Sequence, residues 1–193
     1  MVSAANGGGR PAGGDGGRRT GPRVLVAGIG NIFFGDDGFG VEVARLLDAA
    51  SLPEEAVVAD FGIRGIHLAY ELLAGYDSLI LVDAVPRGDR PGTLSVIEPR
   101  IGQGLPPGDP LMRGPLGDAH GMTPDALFAL LGAMGVRTGR ILLVGCEPED
   151  ASPGMELSEP VARAVPQAVD LVRELVAEQV AASRAASAKR GQP

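Results

Sequence analysis

Residues 23–40 read RVLVAGIGNIFFGDDGFG, and the fold turns on how that stretch divides. Arg23 to Ile29 is an apolar, strand-like run. Phe39, Val43, Leu46, Leu47 and Ala50 then recur at helical spacing from Gly38 onward. Between them Gly28 and Gly30 make the kind of strand-to-helix turn that elsewhere cradles a pyrophosphate on bare backbone N–H groups. Two features oppose that use. Phe33 stands where a dinucleotide fingerprint has its third glycine, and Asp36 and Asp37 place negative charge in the loop. Asp60, at the end of the next strand, keeps a nucleotide-binding domain open as an alternative.

The rest of the chain repeats the alternation. "AVVAD" (56–60) predicts a second strand, followed by a helix near Ile66–Leu73. "SLILVDAV" (78–85) is the most continuous apolar run, as expected of a strand buried on both faces. "TLSVI" (93–97) and "RILLVGC" (140–146) predict two more strands. Thr123-Pro124-Asp125 carries a helix start, and Ser158-Glu159-Pro160 opens a last helix with Val161, Val165, Val169, Val172 and Val176 on one face. The long segment 99–119 reads as loop, a frequent place for function. This pattern predicts one three-layer αβα sandwich over residues 23–182 with a twisted, mostly parallel central sheet. Residues 1–22, rich in Gly and Arg, and residues 183–193 read as disordered tails.

Charge narrows the partners. The net charge is −7; the two tails carry +2 and +3, which leaves −12 on residues 23–182. An acidic body disfavours nucleic acid, which is gripped through Lys and Arg. The one cysteine, Cys146, excludes an internal disulfide and a cysteine-rich zinc module, and as the end of a strand it reads as a small core residue. No apolar run approaches membrane-spanning length and none has the form of a signal peptide, so a cytoplasmic monomer without membrane contact is expected.

Ligands of open α/β sheets gather beyond the carboxyl ends of strands, where strand order reverses. Asp37 follows the first strand and Asp83 closes the "SLILVDAV" strand, so two carboxylates are expected at one crevice. Such a pair either shifts a pKa upward or takes a cation. His120, just before the helix opened by Thr123, completes an O,O,N set suited to a divalent transition metal, with Asp118 as an outer partner for the ring. Plainer roles stand beside these: Asp36 or Asp37 as a helix cap, Asp83 as a turn former, His120 as an ordinary loop residue. His67, in the predicted helix near Ile66–Leu73, is set aside. Walker, His-Glu-x-x-His and Gly-x-Ser-x-Gly signatures are all missing from the sequence.

Taken together, "GIGNIFFGDDGFG", "LILVDAV" with "RPGTLSVIEP", "DAHGMTPDAL" and "LLVGCEPE" resemble the hydrogenase maturation protease family over about residues 23–180. The resemblance implies a metal-dependent or aspartic-type endopeptidase that trims a C-terminal extension from the large-subunit precursor of a [NiFe]-hydrogenase after nickel insertion. It also implies that Asp37, Asp83 and His120 form the metal and catalytic set, with nickel supplied by the precursor. Many members carry Glu at the position of Asp37, and "DFGIRG" (60–65) departs from the family's Asp-Gly-Gly-Thr-like segment by placing Phe61 first after the acid. That segment and loop 99–119 are expected to meet the protein substrate. A non-cutting, nickel-dependent chaperone of the same precursor is the remaining alternative.

Overall fold

The structure, a computed structural model, describes residues 23–48, 52–99, 131 and 139–190. Among the described residues five strands form one sheet in the order β2-β1-β3-β5-β4. They are β1 (Val24–Ile29), β2 (Ala56–Gly62), β3 (Ser78–Ala84), β4 (Leu94–Ile97) and β5 (Arg140–Cys146). Four run parallel, and β4 alone pairs antiparallel, against β5 at one edge.

Side chains alternate across the sheet as the pleat requires. Val24, Val26, Ile80, Val82, Leu142 and Val144 face one layer. There they meet α1 (Phe39–Asp48) through Phe39, Val43 and Leu47, and α3 (Glu159–Arg190) through a stripe from Val161 to Val180. Leu25, Ala27, Leu79, Leu81, Ile141 and Leu143 face the opposite layer, where they meet Leu68, Ala69 and Leu72 of α2 (Gly65–Leu72) and the helical, buried Leu131. The three-layer sandwich is therefore as expected. Every residue of β3 is buried, which is why its sequence shows no alternation of polarity.

One boundary is corrected. The helix α3 continues to Arg190, so residues 183–190 are helical and not a disordered tail. Their Ala-rich composition favours helix as strongly as it resembles a linker, and Arg184 is tied to Glu55 by its guanidinium. The expected tail 1–22, the loop 100–119, His120, Asp118 and the helix start at Thr123 lie outside the described residues.

The chain leaves β1 for β2 on one side and then returns to β3 on the other side of β1. The reversal of strand order thus falls between β1 and β3, at the carboxyl ends that carry the acids.

Candidate active site

Between β1 and α1 the backbone makes a compact turn that ends in a short 3-10 helix, Gly35–Gly38. Gly30 holds a φ of +126°, and a Cβ there would overlap the carbonyl oxygen of Asp37 and lie 3.6 Å from Asp83 Oδ1. Only glycine lets the turn close so tightly over the end of β3. Gly40 acts similarly one turn later, since a Cβ would strike the carbonyl of Val82. These glycines serve the approach of backbone to backbone.

The phosphate use of this turn fails on its own hydrogen bonds. Gly30 N–H is given to Gly62 O, Phe34 N–H to Asn31 O, Gly35 N–H to Gly154 O, Asp36 N–H to Asp150 O and Asp37 N–H to Phe34 O. Asn31 N–H is taken by Asp37 Oδ2 at 2.7 Å, and Phe33 N–H by Asn31 Oδ1 at 3.0 Å. Donors engaged in this way offer nothing to an anion.

The turn carries Asp37 to the crevice, where its side chain is buried. Asp83 is equally buried, one residue beyond the last β1–β3 pair, Gly28–Val82. Desolvation holds Asp37 above the ordinary carboxylate range, opposed in part by the Asn31 N–H. Asp83 is held well above that range, first by desolvation and then by the charge of Asp37, with the Ala84 N–H at 2.9 Å pulling the other way. Each acid thus spends one oxygen on a backbone N–H. No Lys or Arg among the described residues pairs with either one. A buried acid pair with no cation beside it is suited to hold a shared proton or a metal ion. Among the described residues no third metal-capable side chain joins the two; His120 is outside them.

One reading of the sequence has either acid capping α1, but their side-chain bonds go elsewhere: Asp37 accepts from Asn31 N–H and Asp36 from the segment after β5. Asp36, fully buried, accepts four hydrogen bonds from the segment after β5. Its partners are 113 to 122 residues away in sequence, so no local pattern could have shown this role. Glu147 was likewise missed. Its carboxylate accepts Arg87 N–H at 2.6 Å and Gly88 N–H at 3.1 Å, which ties the loop after β3 to the end of β5. Asp60 reaches the same edge from β2 and faces Arg45 at 3.8 Å. Phe61 is buried in the α2 layer, and Gly62, at a φ of +51°, makes the bend. Cys146 is buried, and desolvation, with the charges of Asp36 and Glu147, pushes its thiol up to about 12; it is a core residue and no nucleophile.

A doubly wound sandwich with an acid pair at its strand-order reversal, on a turn closed to anions, defines a strand-end site for a cation or a proton. Comparison with known proteins sharpens this. The family model described as hydrogenase maturation protease matches residues 41–175, a span that includes Asp83 and His120 and begins just after Asp37. A hydrogenase expression/formation protein, HupD, of Rhizobium leguminosarum is 32% identical over 77% of this chain and 71% of its own. A putative hydrogenase maturation protease of Methanocaldococcus jannaschii is 32% identical over 77% of this chain and 93% of its own. Among solved structures, the hydrogenase maturating endopeptidase HybD from E. coli superposes with a TM-score of 0.67 at 26% identity, covering 81% of this chain and 93% of the other. A hydrogenase 2 maturation peptidase from a thaumarchaeon gives 0.60 at 36% identity, over 80% and 98%. The chain belongs to the hydrogenase maturation protease family. It is an endopeptidase of hydrogenase maturation.

Proposed function

We propose that this endopeptidase removes a C-terminal extension from a [NiFe]-hydrogenase large-subunit precursor once nickel is in place, and that Asp37, Asp83 and His120 recognise the nickel carried by that substrate. The observation that supports this most is the buried pair Asp37 and Asp83 at the strand-order reversal, with no basic partner among the described residues. Both must be ionised to hold a cation, so metal contact releases protons, and an empty site is poorly disposed to stay charged. A conditional site of this kind engages only when a precursor presents its metal. A divalent cation so placed supplies Lewis acidity toward the scissile carbonyl and a more acidic bound water. The chain's own groups orient: Asn31 N–H fixes Asp37, and Ala84 N–H fixes Asp83.

A protein substrate also fits the rim. Phe33, on the turn itself, and Met155, beside Gly154 that pairs with Phe34, are largely exposed, as is Ile63 at the end of β2. A groove of about 490 Å³ borders the same turn, with Ile32, Leu46, Met155, Leu157 and Pro166 among its walls. Glu42, Arg45 and Glu156 line it too, and such a mixed apolar and charged groove next to the turn suits a peptide segment.

The test is direct. The protein is incubated with nickel-loaded precursor, and loss of the C-terminal peptide is followed by mass spectrometry. Asp37→Ala, Asp83→Ala and His120→Ala are each expected to stop processing while circular dichroism stays native. A stable complex without mass loss would overturn cleavage, and three active variants would overturn the site.

A further inference from the structure

The acid beside the proposed metal residue has a distinct task. Asp36 Oδ2 accepts Glu149 N–H at 2.7 Å, Asp150 N–H at 2.9 Å and Ser158 Oγ–H at 2.8 Å; Oδ1 accepts Ser158 N–H at 2.6 Å. Three donors thus converge on Oδ2 and one on Oδ1, all four from segment 149–158. The backbone around it repeats the attachment, with Gly35 N–H to Gly154 O, Asp36 N–H to Asp150 O and Gly154 N–H to Phe33 O, each at 2.9 Å. Ser158 sits at the cap of α3, where its carbonyl accepts from Ala162 N–H. Its hydroxyl donates to Asp36, which ties the start of the helix to the turn.

We propose that Asp36 is a positioning residue for cleavage: it bolts the turn that presents Asp37 to segment 149–158 and to the start of α3. The proposal rests on the assignment of Asp37 and Asp83 as the site. The two acids divide the work, one facing the crevice and the other facing inward to fix the first. The chemistry demands a carboxylate at position 36. In Asp36→Asn, of nearly equal shape, an NH2 group must oppose either Ser158 N–H or the three donors on Oδ2. Whichever way the amide turns, donor meets donor.

The test compares Asp36→Asn with Val172→Ala, which thins the packing of α3 on the sheet without touching the turn. Both are assayed on nickel-loaded precursor at a temperature where circular dichroism shows them folded. Positioning predicts that Asp36→Asn lowers kcat by about tenfold to a hundredfold with KM changed less than about twofold, while Val172→Ala keeps the wild-type kcat. A kcat for Asp36→Asn within about twofold of Val172→Ala overturns the proposal. Hydrogen exchange gives a readout apart from activity. The amides of Glu149 and Asp150 are expected to exchange faster in Asp36→Asn, and so is that of Asn31, the donor that holds Asp37. Unchanged protection at Asn31 overturns the coupling. Asp37→Ala in the same assay separates the two ideas: if it processes precursor at the wild-type rate, the site assignment has failed and the positioning role falls with it. If it is dead while Asp36→Asn is unimpaired, only the positioning role fails.

Discussion

Asp83→Asn should make the metal-free protein more stable, and the gain should depend on pH in one direction. Asp83 is buried at the end of β3 with its pKa held well above 3.8 by desolvation and by Asp37. The folded protein therefore binds a proton that the unfolded chain gives up. Stability contributed by the neutral acid is fully present below the unfolded value and is lost as pH rises through the folded one. At pH 7 that loss cannot exceed the cost of simply keeping the acid protonated, about 4 kcal/mol for a group with an unfolded value of 3.8. Asparagine removes the titration and keeps the Oδ1 acceptor for Ala84 N–H; its NH2 can face Asp37. Allowing for the burial of an amide, the net gain at pH 7 should be about 1–3 kcal/mol. In a chain of this size that raises Tm by roughly 3–10 °C. Thermal denaturation followed by circular dichroism from pH 4 to pH 8, with chelator present, measures it. The difference between variant and wild type should grow with pH and vanish as pH 4 is approached. A variant less stable at pH 7, or a gain that ignores pH, would refute the assignment of Asp83 as a buried acid held protonated by its surroundings.

Gly30→Ala should destabilise by about 3 kcal/mol or more, because a φ of +126° and a collision with the Asp37 carbonyl act together; a variant with native Tm would show that the turn is looser than described. Cys146, with its thiol pushed up to about 12, should resist iodoacetamide at pH 8 in the native protein and react quickly in guanidinium, with mass shift as the measure. Rapid native alkylation would place that thiol outside the core.

Much of this was legible in the residues. The order of strands and helices followed from apolar runs and their periods, and β3 announced its burial by having no polar face. Asp83 stood out because a charge closes that run, and Asp37 because it follows a glycine turn in the position where an anion would otherwise sit. What escaped notice depended on distance or on ambiguity. Asp36 looked like a helix cap, since an acid ahead of Phe39 has the right spacing, yet its partners arrive from Glu149, Asp150 and Ser158. Glu147 gave no signal because its partners are backbone amides of a loop that precedes it by 59 residues or more. The far end of α3 was misjudged because short Ala-rich, basic segments read alike as tail and as helix, and the contact with Glu55 that decides the matter is remote.

Adjacent aspartates at 36 and 37 differ in how much change each position can absorb. Asp37 has a single side-chain hydrogen bond, to Asn31 N–H, so a side chain one methylene longer has only that bond to remake by altering its rotamer. Asp36 lies in a socket where four donors converge on its carboxylate, with no accessible surface. A longer acid does not fit there, an amide is repelled, and an apolar residue strands the donors. Mutational freedom in the pair therefore belongs to the residue assigned to the chemistry, and rigidity of identity to its silent neighbour.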